Sequence, residues 1–206
     1  MSAREPSRPA RRSGLSARAR ARDPYRPAGR STLSGPAGPL GRQRRSTLSA
    51  PAPRGLITLI DGRSGAGKTL FAERLARATP GAQLVHLDEL YPGWNGLAAG
   101  SASVAAMLTT GRYRRWDWAE SCWREVVVLD PIRALIVEGV GALTRASAAL
   151  ADRRIWLDAD AALRRERALA RDGDSFAPHW DEWAAQEDAL LARERPRALS
   201  DRVIHT

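Results

Sequence analysis

The chain has 206 residues, 43% of them hydrophobic and 27% charged, which suffices for one domain with its own core and a further segment. Its single cysteine, Cys122, excludes an intrachain disulfide framework, and no apolar run is long enough for a membrane-spanning helix. No stretch reads as the apolar core of a secretory signal, so a cytoplasmic protein with no membrane partner is expected.

The net charge of +10 is unevenly placed. Residues 1–54 carry 13 Arg against only Glu5 and Asp23, a surplus of +11, while the remainder holds 20 basic and 21 acidic residues. The basic character therefore belongs to the N-terminal segment. That segment is Arg, Pro, Ser, Ala and Gly with almost no core-forming side chains, and it repeats itself: Arg30-Ser31-Thr32-Leu33-Ser34 recurs as Arg45-Ser46-Thr47-Leu48-Ser49. Such a composition cannot bury enough apolar surface to offset its ordering entropy, so residues 1–54 are expected to be a disordered basic tail. An inert extension, a transit peptide, a nucleic-acid-binding arm and a start codon assigned too far upstream all fit it.

Residues 55–206 are expected to form the folded domain. Leu56–Ile60 is a short apolar run that predicts a buried strand. The loop Gly62-Arg63-Ser64-Gly65-Ala66-Gly67-Lys68-Thr69 follows, and a helix is predicted from Lys68 to Ala78, where Pro80-Gly81 stops it. Glycines let such a loop turn its N–H groups inward on an anion, and the helix start adds the positive end of its dipole. Lys68 is placed to reach the β- and γ-phosphates of ATP and the Thr69 hydroxyl to ligate Mg²⁺. Lys68 is also the only lysine in a chain with 32 arginines; a compact, flexible ammonium suits that position better than a planar guanidinium.

Gln83–Leu87 predicts a second strand. Asp88 behind it lies at the strand end that borders the ligand crevice in a parallel sheet, where a carboxylate can take the proton of an attacking hydroxyl; Glu89 is the alternative base. The segment Gly111–Trp118 is dense in aromatics and charge, so Trp116, Asp117 and Trp118 are candidates for contact with substrate. Ala134–Val137 predicts a third strand ending in Glu138, a candidate partner for Mg²⁺ or its water. Arg154–Leu157 and Arg202–His205 read as further strands. Helices are predicted over Ala161–Arg171 and His179–Arg193, the second burying Trp180, Trp183, Ala184 and Leu191. On the first, Arg164, Arg167 and Arg171 share a face suited to a lid that stabilises the transferring phosphoryl group. Alternating strands and helices of this kind predict an α/β, three-layer P-loop fold with a mostly parallel sheet and helices on both faces.

With these residues placed, the stretch 55–206 resembles the uridine kinase-like family of P-loop kinases. Ile60–Thr69 is similar to that family's first strand and phosphate loop, and Asp88-Glu89-Leu90-Tyr91 to its Asp-x-x-Tyr segment, implying Asp88 as base and Tyr91 near the substrate. Val137-Glu138-Gly139 resembles its third-strand ending, and Arg164 to Asp172 its arginine lid. The stretch Trp183–Ile204 resembles its C-terminal pattern. The family's Asp-His-Pro stretch has no match, and Trp116-Asp117-Trp118 stands where pyrimidine contacts would fall. The resemblance implies ATP-dependent transfer of a phosphoryl group to a small-molecule hydroxyl, with a nucleoside as first acceptor and a nucleoside monophosphate or coenzyme precursor as alternatives. A GTPase reading fails because an Asn-Lys-x-Asp guanine motif needs a second lysine. An ATP-binding protein whose tail binds nucleic acid is the rival from another class.

Overall fold

The computed structural model describes residues 54–206, so the expected disordered tail lies, apart from Arg54, outside the described residues. Arg54 pairs with Asp152 through both Nη atoms at 2.8 Å, and that carboxylate also accepts the Ile57 N–H at 2.8 Å.

The elements follow in chain order. Strand β1 (Ile57–Asp61) leads into helix α1 (Lys68–Ala78), then β2 (Gln83–His86), a 3-10 turn (Leu87–Glu89) and α2 (Leu97–Thr110). An antiparallel hairpin comes next, β3 (Arg112–Asp117) with β4 (Cys122–Val128), then β5 (Leu135–Glu138), the short α3 (Arg145–Ala148) and β6 (Arg153–Asp158). Helices α4 (Ala161–Asp172), α5 (Trp180–Glu194) and α6 (Pro196–Leu199) precede β7 (Arg202–His205). Five strands form one sheet in the order β2-β5-β1-β6-β7, every pair parallel, and the hairpin stands apart from it.

Alternation along each strand divides the core into two layers. Leu59, Val85 and Val137 enter the layer shared with α2 and α5, beside Leu97, Val104, Trp183 and Leu190. Ile60, Leu84 and Ile136 enter the layer under α1, with Ala72, Phe71 and Leu75. All four residues of β5 are buried, as a central parallel strand covered on both faces requires. The expected three-layer α/β fold is present, with α4 carrying the arginines.

Some local expectations change. β2 ends at His86 because the chain tightens at Leu87, where the Leu90 N–H closes on the Leu87 carbonyl at 2.8 Å. The buried face of α5 is Trp183, Glu187 and Leu190, while Trp180, Ala184 and Leu191 are only half-buried. Helix α2 and the hairpin add to the predicted elements.

Candidate active site

The carboxyl ends of β1, β2 and β5 open on one side of the sheet, and the loop after β1 wraps there. Gly65 has φ +78, and a Cβ on it would lie 2.0 Å from the Arg164 carbonyl; Gly62 has φ +150 and would meet the Leu157 carbonyl at 2.3 Å. Only glycine permits that backbone path at that proximity. Lys68 is buried and its Nζ donates to the Arg63 carbonyl at 3.0 Å, which holds the ammonium across the loop mouth.

Two buried carboxylates that motif reading passed over hold this loop. Asp61 accepts N–H groups from Gly62 at 2.6 Å, Gly141 at 3.0 Å and Leu143 at 2.8 Å, joining the loop to the turn after β5. Burial pushes its pKa up to about 6 against the pull of those donors and Lys68. Glu187, on α5, accepts the Ser64 N–H at 2.8 Å and Arg63 Nε at 2.9 Å, and Arg63 also reaches Asp188 at 2.8 Å. Arg63 and Ser64 thus serve the loop through α5. A buried Glu on a helix that also carries Asp181, Glu182, Asp188 and Glu194 leaves no sequence signal.

Glu138 lies at the end of β5, register-paired with His86 on β2. Its Oε1 takes the Thr69 hydroxyl at 3.1 Å and lies 2.6 Å from His86 Nδ1. Burial pushes the Glu138 carboxyl up, but His86, Lys68 and Thr69 outweigh it and hold it below its ordinary value; the same hydrogen bond raises His86. The two expected Mg²⁺ residues are therefore in contact. Among the described residues no cluster of three acidic, His or Cys side chains could cage a metal unaided. A hydroxyl and a carboxylate beside a phosphate loop suit Mg²⁺, which keeps water and substrate phosphate in its shell.

Asp88 faces the same cleft and its side chain is exposed there, so cleft water tempers its desolvation. Burial within the cleft and the charge of Glu138 raise its pKa, opposed by Lys68, Arg171 and His86. The three arginines of α4 expected on one lid face separate. Arg164 is buried, donating to the Ala159 and Ser64 carbonyls at 3.2 and 3.3 Å, and so supports the loop from beneath. Arg167 donates to the Thr206 hydroxyl at 3.2 Å. Arg171 reaches the cleft with both its guanidinium and its partner Asp172, paired at 2.8 and 2.6 Å.

Two cavities meet at the loop. One, about 300 Å³, runs past Gly67, Leu70, Glu73 and Arg167; the other, about 560 Å³, extends past Asp88 and Glu138 to an aromatic wall. Gly65, Lys68, Thr69 and Arg171 border both. The wall consists of Tyr91, Trp94, Trp118, Phe176 and Trp183. Of the segment Trp116-Asp117-Trp118, only Trp118 reaches the cavity. Trp116 packs edge-on against Trp123 at 5.2 Å, and Asp117 caps the hairpin turn by accepting the Ala119 and Glu120 N–H groups and pairing with Arg124. Tyr91 lines the cavity with its ring, its hydroxyl donating to the Val140 carbonyl at 2.7 Å. Trp94, Phe176 and Trp183 come from three separate segments that only the fold brings together.

A strand, a glycine-rich loop and a helix around a lone lysine, on a parallel sheet with a carboxylate on the adjacent strand, define a P-loop nucleotide-binding fold. Among solved structures, a provisionally described fructose transport system kinase from Silicibacter sp. TM1040 is 19% identical and covers 76% of this chain and 93% of its own, with a TM-score of 0.52, so this chain shares its fold. A possible uridine kinase from Bacillus stearothermophilus is 18% identical over 76% of this chain and 91% of its own, with a TM-score of 0.49. A gluconokinase from Sinorhizobium meliloti 1021 is 20% identical over 74% and 81%, with a TM-score of 0.43. No protein-family model and no curated protein sequence matches the chain.

Proposed function

We propose that the protein is a cytoplasmic, ATP-dependent phosphotransferase that moves the γ-phosphoryl group of ATP to a hydroxyl of a small molecule. The observation that carries this reading is the pair of cavities sharing Lys68, Thr69 and Arg171. A protein that only binds or hydrolyses ATP needs one pocket at its loop; a second, walled with aromatics and floored with a carboxylate, supplies a place for an acceptor. No described helix is long and apolar enough to cross a membrane, which accords with soluble substrates.

In this reading the smaller cavity takes the nucleoside of ATP, beside Leu70 and Arg167, and the N–H groups of Gly65, Gly67, Lys68 and Thr69, which neither Asp61 nor Glu187 engages, hold its phosphates. Lys68 bridges the β- and γ-phosphates. Thr69 and Glu138 would hold Mg²⁺, which neutralises charge on those phosphates when bound. Asp88 takes the proton from the acceptor hydroxyl as its oxygen attacks γ-phosphorus, and ADP leaves. Arg171, freed from Asp172 or shared with it, faces the charge developing on the phosphoryl oxygens. A nucleoside is the acceptor to which the family resemblance points. A nucleoside monophosphate is disfavoured, because among the described residues the larger cavity has no cation other than Lys68 and Arg171 to hold a second phosphate.

Lys68→Ala tests the reading. It is expected to abolish ADP release driven by an acceptor while far-UV circular dichroism stays unchanged, because Lys68 faces the loop mouth. A folded Lys68→Ala protein with full activity would sink the site assignment.

A further inference from the structure

The aromatic end of the larger cavity has a definite chemistry. Trp94 is its centre. It stacks nearly parallel on His179 at 4.3 Å and on Phe176 at 5.5 Å, tilts against Trp118 at 4.9 Å and meets Trp183 edge-on at 6.3 Å. Rings locked against one another in this way make a flat-sided, stiff slot.

Three of the polar side-chain groups along that slot are already engaged with the protein, and the remaining indole N–H groups, those of Trp94 and Trp183, can only donate. The Trp118 indole N–H donates to the Asp88 carbonyl at 2.8 Å, the Tyr91 hydroxyl to the Val140 carbonyl at 2.7 Å, and the Ser175 hydroxyl to the Asp172 carbonyl at 2.6 Å. The charged lining groups, Lys68, Asp88, Glu138 and the Arg171–Asp172 pair, gather where the phosphoryl group is handed over. Among the described residues no carboxamide lines the cavity. A nucleobase buried in the slot would bring carbonyl and N–H groups with few partners, and each such group left unpaired lowers affinity by about five- to a hundred-fold.

Resting on the phosphotransferase reading, we infer that the acceptor is an aromatic alcohol: a planar ring system poor in hydrogen-bonding groups, with its hydroxyl on a short arm reaching Asp88. Trp118 then has two tasks, since its ring walls the slot and its N–H fixes the backbone of the base.

Calorimetric titration of the full chain, saturated with Mg-ADP, against 2-naphthylmethanol, uridine and choline tests this. The naphthyl alcohol is expected to bind at least about ten-fold more tightly than either of the others. Trp118→Ala should weaken it by about ten-fold or more, and Trp118→Phe, which keeps a ring, by clearly less. A thermal shift on adding Mg-ATP reports that each variant is folded. Uridine or choline binding as tightly as the naphthyl alcohol overturns the inference, as does absence of saturable naphthyl binding or indifference to Trp118→Ala. ADP release with the same compounds is read separately. Transfer to uridine alone would keep the phosphotransferase reading and remove the aromatic acceptor. Tight naphthyl binding with no ATP turnover by any alcohol would do the reverse, leaving the slot's ring preference in place.

Discussion

Glu187 governs the phosphate loop from a distance, through the Ser64 N–H and the Arg63 guanidinium. Its side chain is 2% exposed, so losing it strips the Ser64 N–H of its acceptor in a place water scarcely reaches and leaves Arg63 to its pairing with Asp188. Glu187→Ala is expected to destabilise the fold by about 1–3 kcal/mol and to weaken Mg-ATP binding by about ten-fold, because the loop loses its fixed shape. Glu187→Gln keeps an acceptor for the Ser64 N–H and should lose clearly less of both. Thermal melts and ATP titration check this, and unchanged affinity in Glu187→Ala would show that the loop holds itself. Asp88 acts on the chemistry instead. Asp88→Asn should leave Mg-ATP affinity near normal and cut turnover by about 10²- to 10⁴-fold. Since burial and Glu138 raise the Asp88 pKa, its carboxyl stays protonated to a higher pH than an ordinary carboxylate. The acid limb of kcat should therefore lie above the usual carboxylate range, with activity lost as pH falls through it. A wild-type limb in the usual range, or an unchanged rate in Asp88→Asn, would move the role to Glu138 or to Glu89, whose Oε2 accepts the Tyr113 hydroxyl at 2.6 Å.

At the scale of elements, the hairpin formed by β3 and β4 is tied to the turn bearing the base at two points: Tyr113 to Glu89, and Trp118 to the Asp88 carbonyl. The turn and hairpin should therefore move together. Tyr113→Phe removes one tie without a cavity, so a loss of about 1 kcal/mol in stability is expected, with a fall in kcat and little change in ATP affinity. Equal losses in kcat and ATP affinity would mean that the hairpin supports the whole site. The hairpin was opaque in the sequence for physical reasons. β3 reads Arg-Tyr-Arg-Arg-Trp-Asp and is largely exposed, its register shifts between Arg114 and Trp116, and its turn places Ser121 at φ +49 with no Gly or Asn to mark it. Helix α2 was hidden because Ala, Ser and Gly around Leu97, Val104 and Met107 give no sharp polar–apolar division. By contrast, α1 and β7 were legible to the residue. One lies between a phosphate loop and Pro80-Gly81, and the other is a short apolar-centred run after a polar turn. That Lys68, Thr69, Glu138 and Asp88 meet around one cavity was legible too, since loop spacing and strand ends place them. Glu187, Asp61 and Trp94 were not, because each has a partner far along the chain that only the fold brings near: Ser64 lies 123 from Glu187, and Gly141 lies 80 from Asp61, while Trp94 stacks on His179 across the fold.

For the whole molecule, the site and the charge lie in different parts of the chain. Every group named in the site falls between Asp61 and Thr206, whereas residues 1–54 hold the surplus of +11. If those arginines meet a partner, it is polyanionic and its binding is salt-dependent. A chain beginning at Arg54 should keep Mg-ATP affinity within about two-fold, since no phosphate contact in the proposed site is removed, and should lose whatever retention on heparin the full chain shows. Beginning one residue later, at Gly55, also deletes the Arg54–Asp152 pair. That pair is half-exposed on the arginine side, and water screens it, so the added cost is at most about 1 kcal/mol, visible as a small fall in melting temperature and absent from ATP binding. The two truncations separate the roles. A ten-fold loss of ATP affinity in the chain beginning at Arg54 would bring residues 1–53 into the site, on the scale where about 1.4 kcal/mol is ten-fold. The same loss only in the chain beginning at Gly55 would instead show that anchoring β1 through Asp152 and the Ile57 N–H sets the path of the loop that β1 feeds.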